Sequence, residues 1–131
     1  MTVENIEYGR AIHPADNEEQ VLMLDAYFPP ESDQRTNRPA VVFAHGGGFS
    51  SGQKVIGRKV AQKLAQRGYV VFSIDYRKTG EFHDPENNIT QQQVVDASED
   101  MRAAIRFVRS KATEYGIDTN KIIASGSSAG A

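Results

Sequence analysis

Two glycines bracket a serine in Gly126-Ser127-Ser128-Ala129-Gly130, one residue after the short apolar run Ile122–Ala124. A turn tight enough to lift a serine hydroxyl clear of a sheet crowds the positions two before and two after it. A side chain would collide at both, and glycine does not. The spacing marks Ser128 as a candidate nucleophile. An alcohol needs a base to take its proton, and donors for the charge that appears on an attacked carbonyl oxygen. A source of donors lies upstream in His45-Gly46-Gly47-Gly48-Phe49, again just after an apolar run. Three glycines expose bare backbone whose N–H groups can turn toward a ligand, although the same triplet also reads as a flexible turn. Phe49 is either a wall of the substrate pocket or a core aromatic.

Both motifs need a frame. Ile6–Ile12 and Gln20–Phe28 read as two strands joined by a polar turn around Asp16-Asn17, and Pro29-Pro30 stops the second. Residues 31–38 are polar and read as a surface loop. Pro39–Ala44 and Tyr69–Ile74 are continuous apolar runs, as expected of parallel strands covered on both faces. Between them the spacing predicts a helix over Gln53–Arg67, with Ile56, Val60 and Leu64 inward, Ala61 and Ala65 widening the stripe, and Gly68 as its cap. Thr90 and Gln93 form a capping box for a long helix reaching about Tyr115. Its expected inner face holds Val94, Ser98, Met101, Ile105, Val108 and Ala112, and Gly116 ends it before a five-residue turn. The fold class is α/β: a mostly parallel sheet with an initial antiparallel hairpin and helices on both faces. Both glycine motifs then lie at carboxyl ends of strands, where such sheets bind ligands.

Composition narrows the partners. A chain of 131 residues with 39% hydrophobic and 24% charged residues has the make-up of one soluble globular unit, with no linker dividing it. The net charge of -2 argues against nucleic acid as a partner. Without cysteine there is no disulfide framework, thiolate nucleophile or cysteine zinc site, and the three histidines lack metal-ligand spacing, so neither metal nor other cofactor is expected. No stretch approaches a membrane span. This make-up fits the cytoplasm first, and an exported protein with its leader removed second.

From about Val21 onward the chain resembles the α/β-hydrolase fold, in the carboxylesterase and hormone-sensitive-lipase-like branch, and is similar to feruloyl and acetyl-xylan esterase domains. The residues carrying the likeness are Leu24-Asp25-Ala26-Tyr27-Phe28-Pro29, His45-Gly46-Gly47-Gly48-Phe49, Asp75-Tyr76-Arg77, Asp100, Tyr115-Gly116-Ile117-Asp118 and Gly126-Ser127-Ser128-Ala129-Gly130. The resemblance implies a serine hydrolase acting on small carboxylic esters. Ser128 would be acylated, the N–H groups of Gly47, Gly48 and Ala129 would form the oxyanion hole, and His45 would brace that loop. The family's triad runs serine, acid, histidine, so the acid and the histidine are expected downstream of Ala131. Residues 1–131 then read as one partial domain cut just after the nucleophile turn. Such a chain should be inactive alone and should need its downstream half or associate with itself. His83 sits in a polar loop and His13 in the hairpin, where surface exposure is the simpler reading. Asp75 and Asp100 read as structural acids that hold loops.

Two alternatives remain open. The same turn serves amide, formamide and peptide hydrolysis. In a different class, the chain is a non-catalytic scaffold or interaction fragment. Nucleotide binding fits poorly, because the serine loop follows the last strand and neither Gly-x-Gly-x-x-Gly nor a Gly-Lys-Ser/Thr triplet is present.

Overall fold

The computed structural model of the protein describes residues 2–13, 17–45, 57–77 and 91–126. A long hairpin comes first, β1 (Thr2–His13) against β2 (Glu18–Tyr27), antiparallel and interrupted by bulges near Asn5 and Tyr8. The chain continues through β3 (Arg38–Ala44), α1 (Arg58–Gln66), β4 (Val70–Ile74), α2 (Gln91–Ser110), α3 (Ala112–Tyr115) and β5 (Ile117–Gly126). These strands form one mixed sheet in the order β1-β2-β4-β3-β5. β3 runs parallel to both β4 and β5, while β2 pairs with β4 antiparallel, so a parallel centre carries an antiparallel hairpin on one flank.

Alternation along the strands explains the layers. Successive side chains point to opposite faces. Val42, Phe72 and Leu24 therefore face α2 and pack with its Ala104 and Val108. Val41, Val71 and Tyr27 face the other way, onto Ala61 and Ala65 of α1. Each fully buried side chain such as Phe72 or Val42 stabilises the fold by roughly 1.5–3 kcal/mol relative to exposure. Helices thus cover both faces, as the alternating pattern predicted.

The helix details differ from the periodicity. In α1 the buried residues are Ala61 and Ala65, whereas Val60 is 51% exposed. The small alanines let the helix lie close to the sheet, and the contact stripe turns away from Val60. Residues 53–56 lie outside the described residues. Along α2 the buried side chains are Asp96, Asp100, Ala104 and Val108, with Ala112 following in α3. Val108 and Ala112 are inward as expected, Met101 and Ile105 pack only partly buried against the core, and Asp96, Asp100 and Ala104 take the innermost places instead. The helix also breaks at Lys111 before α3. Gly68 and Gly116 end their helices as expected. Gly116 does so in the left-handed region at φ 68°, returning its N–H to the carbonyls of Ala112 and Thr113. The turn expected after it belongs to β5. Between the pairings Arg38↔Ile117 and Ala40↔Ile122, β5 advances five residues against two on β3. Asp118 accepts the N–H of Asn120 at 2.9 Å and closes the resulting bulge.

Candidate active site

The carboxyl ends of β3 and β5 lie side by side. Their parallel register runs Ala40↔Ile122, Val41↔Ile123, Val42↔Ala124, Phe43↔Ser125 and Ala44↔Gly126. β3 and β5 therefore end at the same edge of the sheet, Ala44 beside Gly126, one strand spacing of about 4.8 Å apart. Buried apolar side chains on both faces hold β3 in that register. Gly47, Gly48, Phe49, Ser128 and Ala129 themselves lie outside the described residues, as does His83.

His45, the first residue past β3, is fully buried. Its imidazole stacks on the Tyr76 ring, with centroids 4.5 Å apart and planes at 19°. Its Nε2 is 3.7 Å from a carboxylate oxygen of Asp75, within electrostatic reach but longer than a hydrogen bond. Its carbonyl oxygen accepts a hydrogen bond from the Tyr76 hydroxyl at 2.7 Å. The side chain thus packs against residues that follow β4.

The segment Asp75-Tyr76-Arg77 is itself pinned from three directions. Asp75 donates its N–H to the Met23 carbonyl at 2.9 Å, and its carbonyl accepts from the Tyr8 hydroxyl. Burial, with the carboxylates of Asp100 and Asp75 nearby, pushes the Tyr8 hydroxyl above its ordinary range, so it remains a donor. Arg77 donates its N–H to Asp100 at 2.7 Å and its Nε to the same carboxylate at 3.1 Å. The guanidinium also reaches the Ile12 carbonyl at 3.0 Å, Glu99 at 3.3 Å and Asp96 at 3.6 Å. Burial pushes the Asp100 carboxyl above its ordinary range, and the Arg77 contacts pull it back only in part. Asp100 therefore acts as the expected structural acid, tying the exit of β4 to α2. Asp75 holds its place through its backbone and faces His45 through its side chain.

Tyr76 and Arg77 had no role in the sequence reading beyond the Asp-Tyr-Arg likeness. The usable signal is general: a tyrosine closing a buried strand needs a partner for its hydroxyl. Among the described residues, no cluster of histidine and acidic side chains could hold a metal ion.

Comparison with known proteins adds a family and relatives. The BD-FAE family model matches residues 24–131. A probable isoprenylcysteine alpha-carbonyl methylesterase of Arabidopsis thaliana is 36% identical over 108 residues, covering 82% of this chain and 23% of the relative. Carboxylesterase NlhH of Mycobacterium tuberculosis is 36% identical over 110 residues, covering 83% of this chain and 31% of the relative. In the solved structure of Thermogutta terrifontis esterase 2 phosphorylated by paraoxon, 97% of this chain superposes on 44% of that one with a TM-score of 0.75 and 37% identity. The chain thus spans less than half the length of each of these relatives. Its five-stranded sheet corresponds to the N-terminal part of an esterase α/β-hydrolase fold.

Proposed function

The chain belongs to the BD-FAE family, and on that footing we propose that it carries the nucleophile and oxyanion donors of a serine esterase. Ser128 Oγ attacks the carbonyl carbon of a small carboxylic ester, and the carbonyl π electrons move onto oxygen. That oxygen accepts hydrogen bonds from the N–H groups of Gly47, Gly48 and Ala129, donors aimed at charge that develops only as the bond forms. A base takes the serine proton and delivers it to the departing alcohol, leaving an acyl-enzyme that water then cleaves. Phe49 forms part of the acyl-pocket wall.

The observation that carries this reading is the β3–β5 register, in which Ala44 and Gly126 are partners. It starts the two glycine motifs from neighbouring points on one edge, although 82 residues separate those partners in sequence (126 less 44). His45 is not the base in this scheme, because its imidazole is enclosed by Tyr76 and Asp75. The base and its acid partner are assigned to another segment of the protein, so residues 1–131 alone should turn over no ester. Relatives named as a carboxylesterase and a methylesterase favour esters over amides as the substrate class.

In the full-length protein, a fluorophosphonate probe should form its adduct on Ser128, located by peptide mass spectrometry. Ser128→Ala should abolish the adduct and lower p-nitrophenyl acetate turnover on the order of 10⁶-fold. An adduct at another residue, or turnover that survives Ser128→Ala, overturns the reading.

A further inference from the structure

We infer that Tyr76 is a positioning residue for the oxyanion loop, its hydroxyl fixing the His45 carbonyl and its ring fixing the His45 imidazole. The inference rests on the esterase reading above and assigns a residue which that reading leaves without a role. Two contacts of different kinds converge on one residue: the 2.7 Å hydrogen bond from the hydroxyl to the His45 carbonyl oxygen, and the ring stack at 4.5 Å. The hydrogen bond acts on the backbone. A peptide unit is rigid and planar, so holding the His45 oxygen holds the peptide from which the glycine run departs.

An anchor works only if it is anchored itself. Tyr76 is flanked on one side by Asp75, bonded to Met23 and Tyr8, and on the other by Arg77, bonded to Asp100. Strand, hairpin and helix therefore meet at the residue that grips His45. Burial, and the negative charge of Asp75, push the Tyr76 hydroxyl above its ordinary range, so it donates throughout the neutral and mildly alkaline range. Donors fixed before the substrate arrives need no reorganisation during reaction.

The test uses the full-length protein, with active sites counted by fluorophosphonate titration. Tyr76→Phe keeps the ring and removes the hydroxyl. We expect kcat per active site on p-nitrophenyl acetate to fall about tenfold to a hundredfold, the scale of a small misplacement of catalytic groups. KM should change less than about twofold on the same argument. The inhibition constant of a trifluoromethyl ketone, which mimics the tetrahedral adduct, should rise in parallel with the loss in kcat. A purely structural tyrosine would lower the number of active sites and leave both per-site values alone. Replacing Tyr76 with p-aminophenylalanine, which restores a donor on the same ring, should recover part of the loss and serves as the comparison with tyrosine if Tyr76→Phe does not fold. Per-site values equal to wild type in the phenylalanine variant, or in its absence no change with the amino analogue, overturn the inference alone. Failure of wild-type Ser128 to take the probe overturns the esterase reading, and this inference with it.

Discussion

Two arginines, Arg77 buried and Arg38 half-buried, hold opposite ends of the same sheet, and they are held differently. Arg77, at the carboxyl end of β4, is 8% exposed and faces the carboxylates of Asp100, Asp96 and Glu99. Arg38, at the amino end of β3, is 11% exposed and faces one carboxylate, Asp33, at 3.1 Å. The other bonds of its guanidinium go to the carbonyls of Gly68 at 3.1 Å and Asp33 at 2.7 Å. The far end of the molecule is tied by caps and turns, the candidate site end by charge. A cluster of carboxylates around one cation is a costly way to fix a loop, because each charge must leave water. It gives in return a fixed exit from β4, the segment whose Asp75 and Tyr76 enclose His45.

If that contrast is right, the two arginines should differ sharply on removal. Arg77→Met leaves Asp96 and Asp100 buried without their cation and is expected to cost about 3–5 kcal/mol in urea unfolding of the full-length protein. Arg38→Met mainly releases backbone carbonyls close to solvent and should cost about 1–2 kcal/mol. Equal losses would mean that the carboxylate cluster has no special energetic weight, and the comparison would fail.

Much of this frame is legible in the sequence, for reasons that particular residues make plain. Pro39–Ala44 and Tyr69–Ile74 read as buried strands because continuous apolar runs admit few other places. Gly68 and Gly116 read as caps because a left-handed turn favours glycine. The inward face of the long helical segment was legible at its end, Val108 and Ala112, and not at its start. Asp100 reads as a structural acid without its partner, and Asp96 looks like a solvent-facing residue, until Arg77, 23 and 19 positions away, is brought against them. Val60 misled in the opposite sense: its hydrophobicity suggested burial, but close helix-on-sheet packing selects the smaller Ala61 and Ala65. At the candidate site, glycine spacing reveals the two motifs, because sterics act within five residues. The Tyr76 grip on His45 is invisible, because it joins residues 31 apart through the β3–β4 register.

The charged end can be sharpened further by removing one acid instead of the cation. Asp100→Asn keeps an acceptor for Arg77 and leaves Asp96 and Glu99 to balance the guanidinium, so its cost at neutral pH should be about 1–2 kcal/mol, below that of Arg77→Met. Its pH dependence has a definite sign. The folded pKa lies above the ordinary 3.8, chiefly through burial, so between the two values the folded chain holds the proton more tightly than the unfolded chain. Stability contributed by this group is therefore greatest below 3.8 and falls as pH rises toward the folded pKa, then stays level. Unfolding curves of wild type and Asp100→Asn across that window should show the wild type losing ground with rising pH. A wild type that gains ground instead would mean that Arg77 outweighs burial at Asp100.

The end tied by caps and turns should yield an effect no larger, and one of a different kind. Gly116 sits at φ 68° with nothing within 4 Å of where a Cβ would stand, so Gly116→Ala meets no clash. Its only penalty is the left-handed backbone, about 1–2 kcal/mol for a residue with a Cβ. Asparagine tolerates that region better, and Gly116→Asn should recover part of the loss. Its carbonyl also accepts the Arg38 N–H at 2.9 Å, at the start of the strand whose other end carries His45. Neither variant should change kcat per active site, because the fault lies a full strand length from the reacting edge. A drop in kcat from Gly116→Ala would show that the two ends of β3 are coupled, and that the backbone-tied end also takes part in aiming the glycine loop.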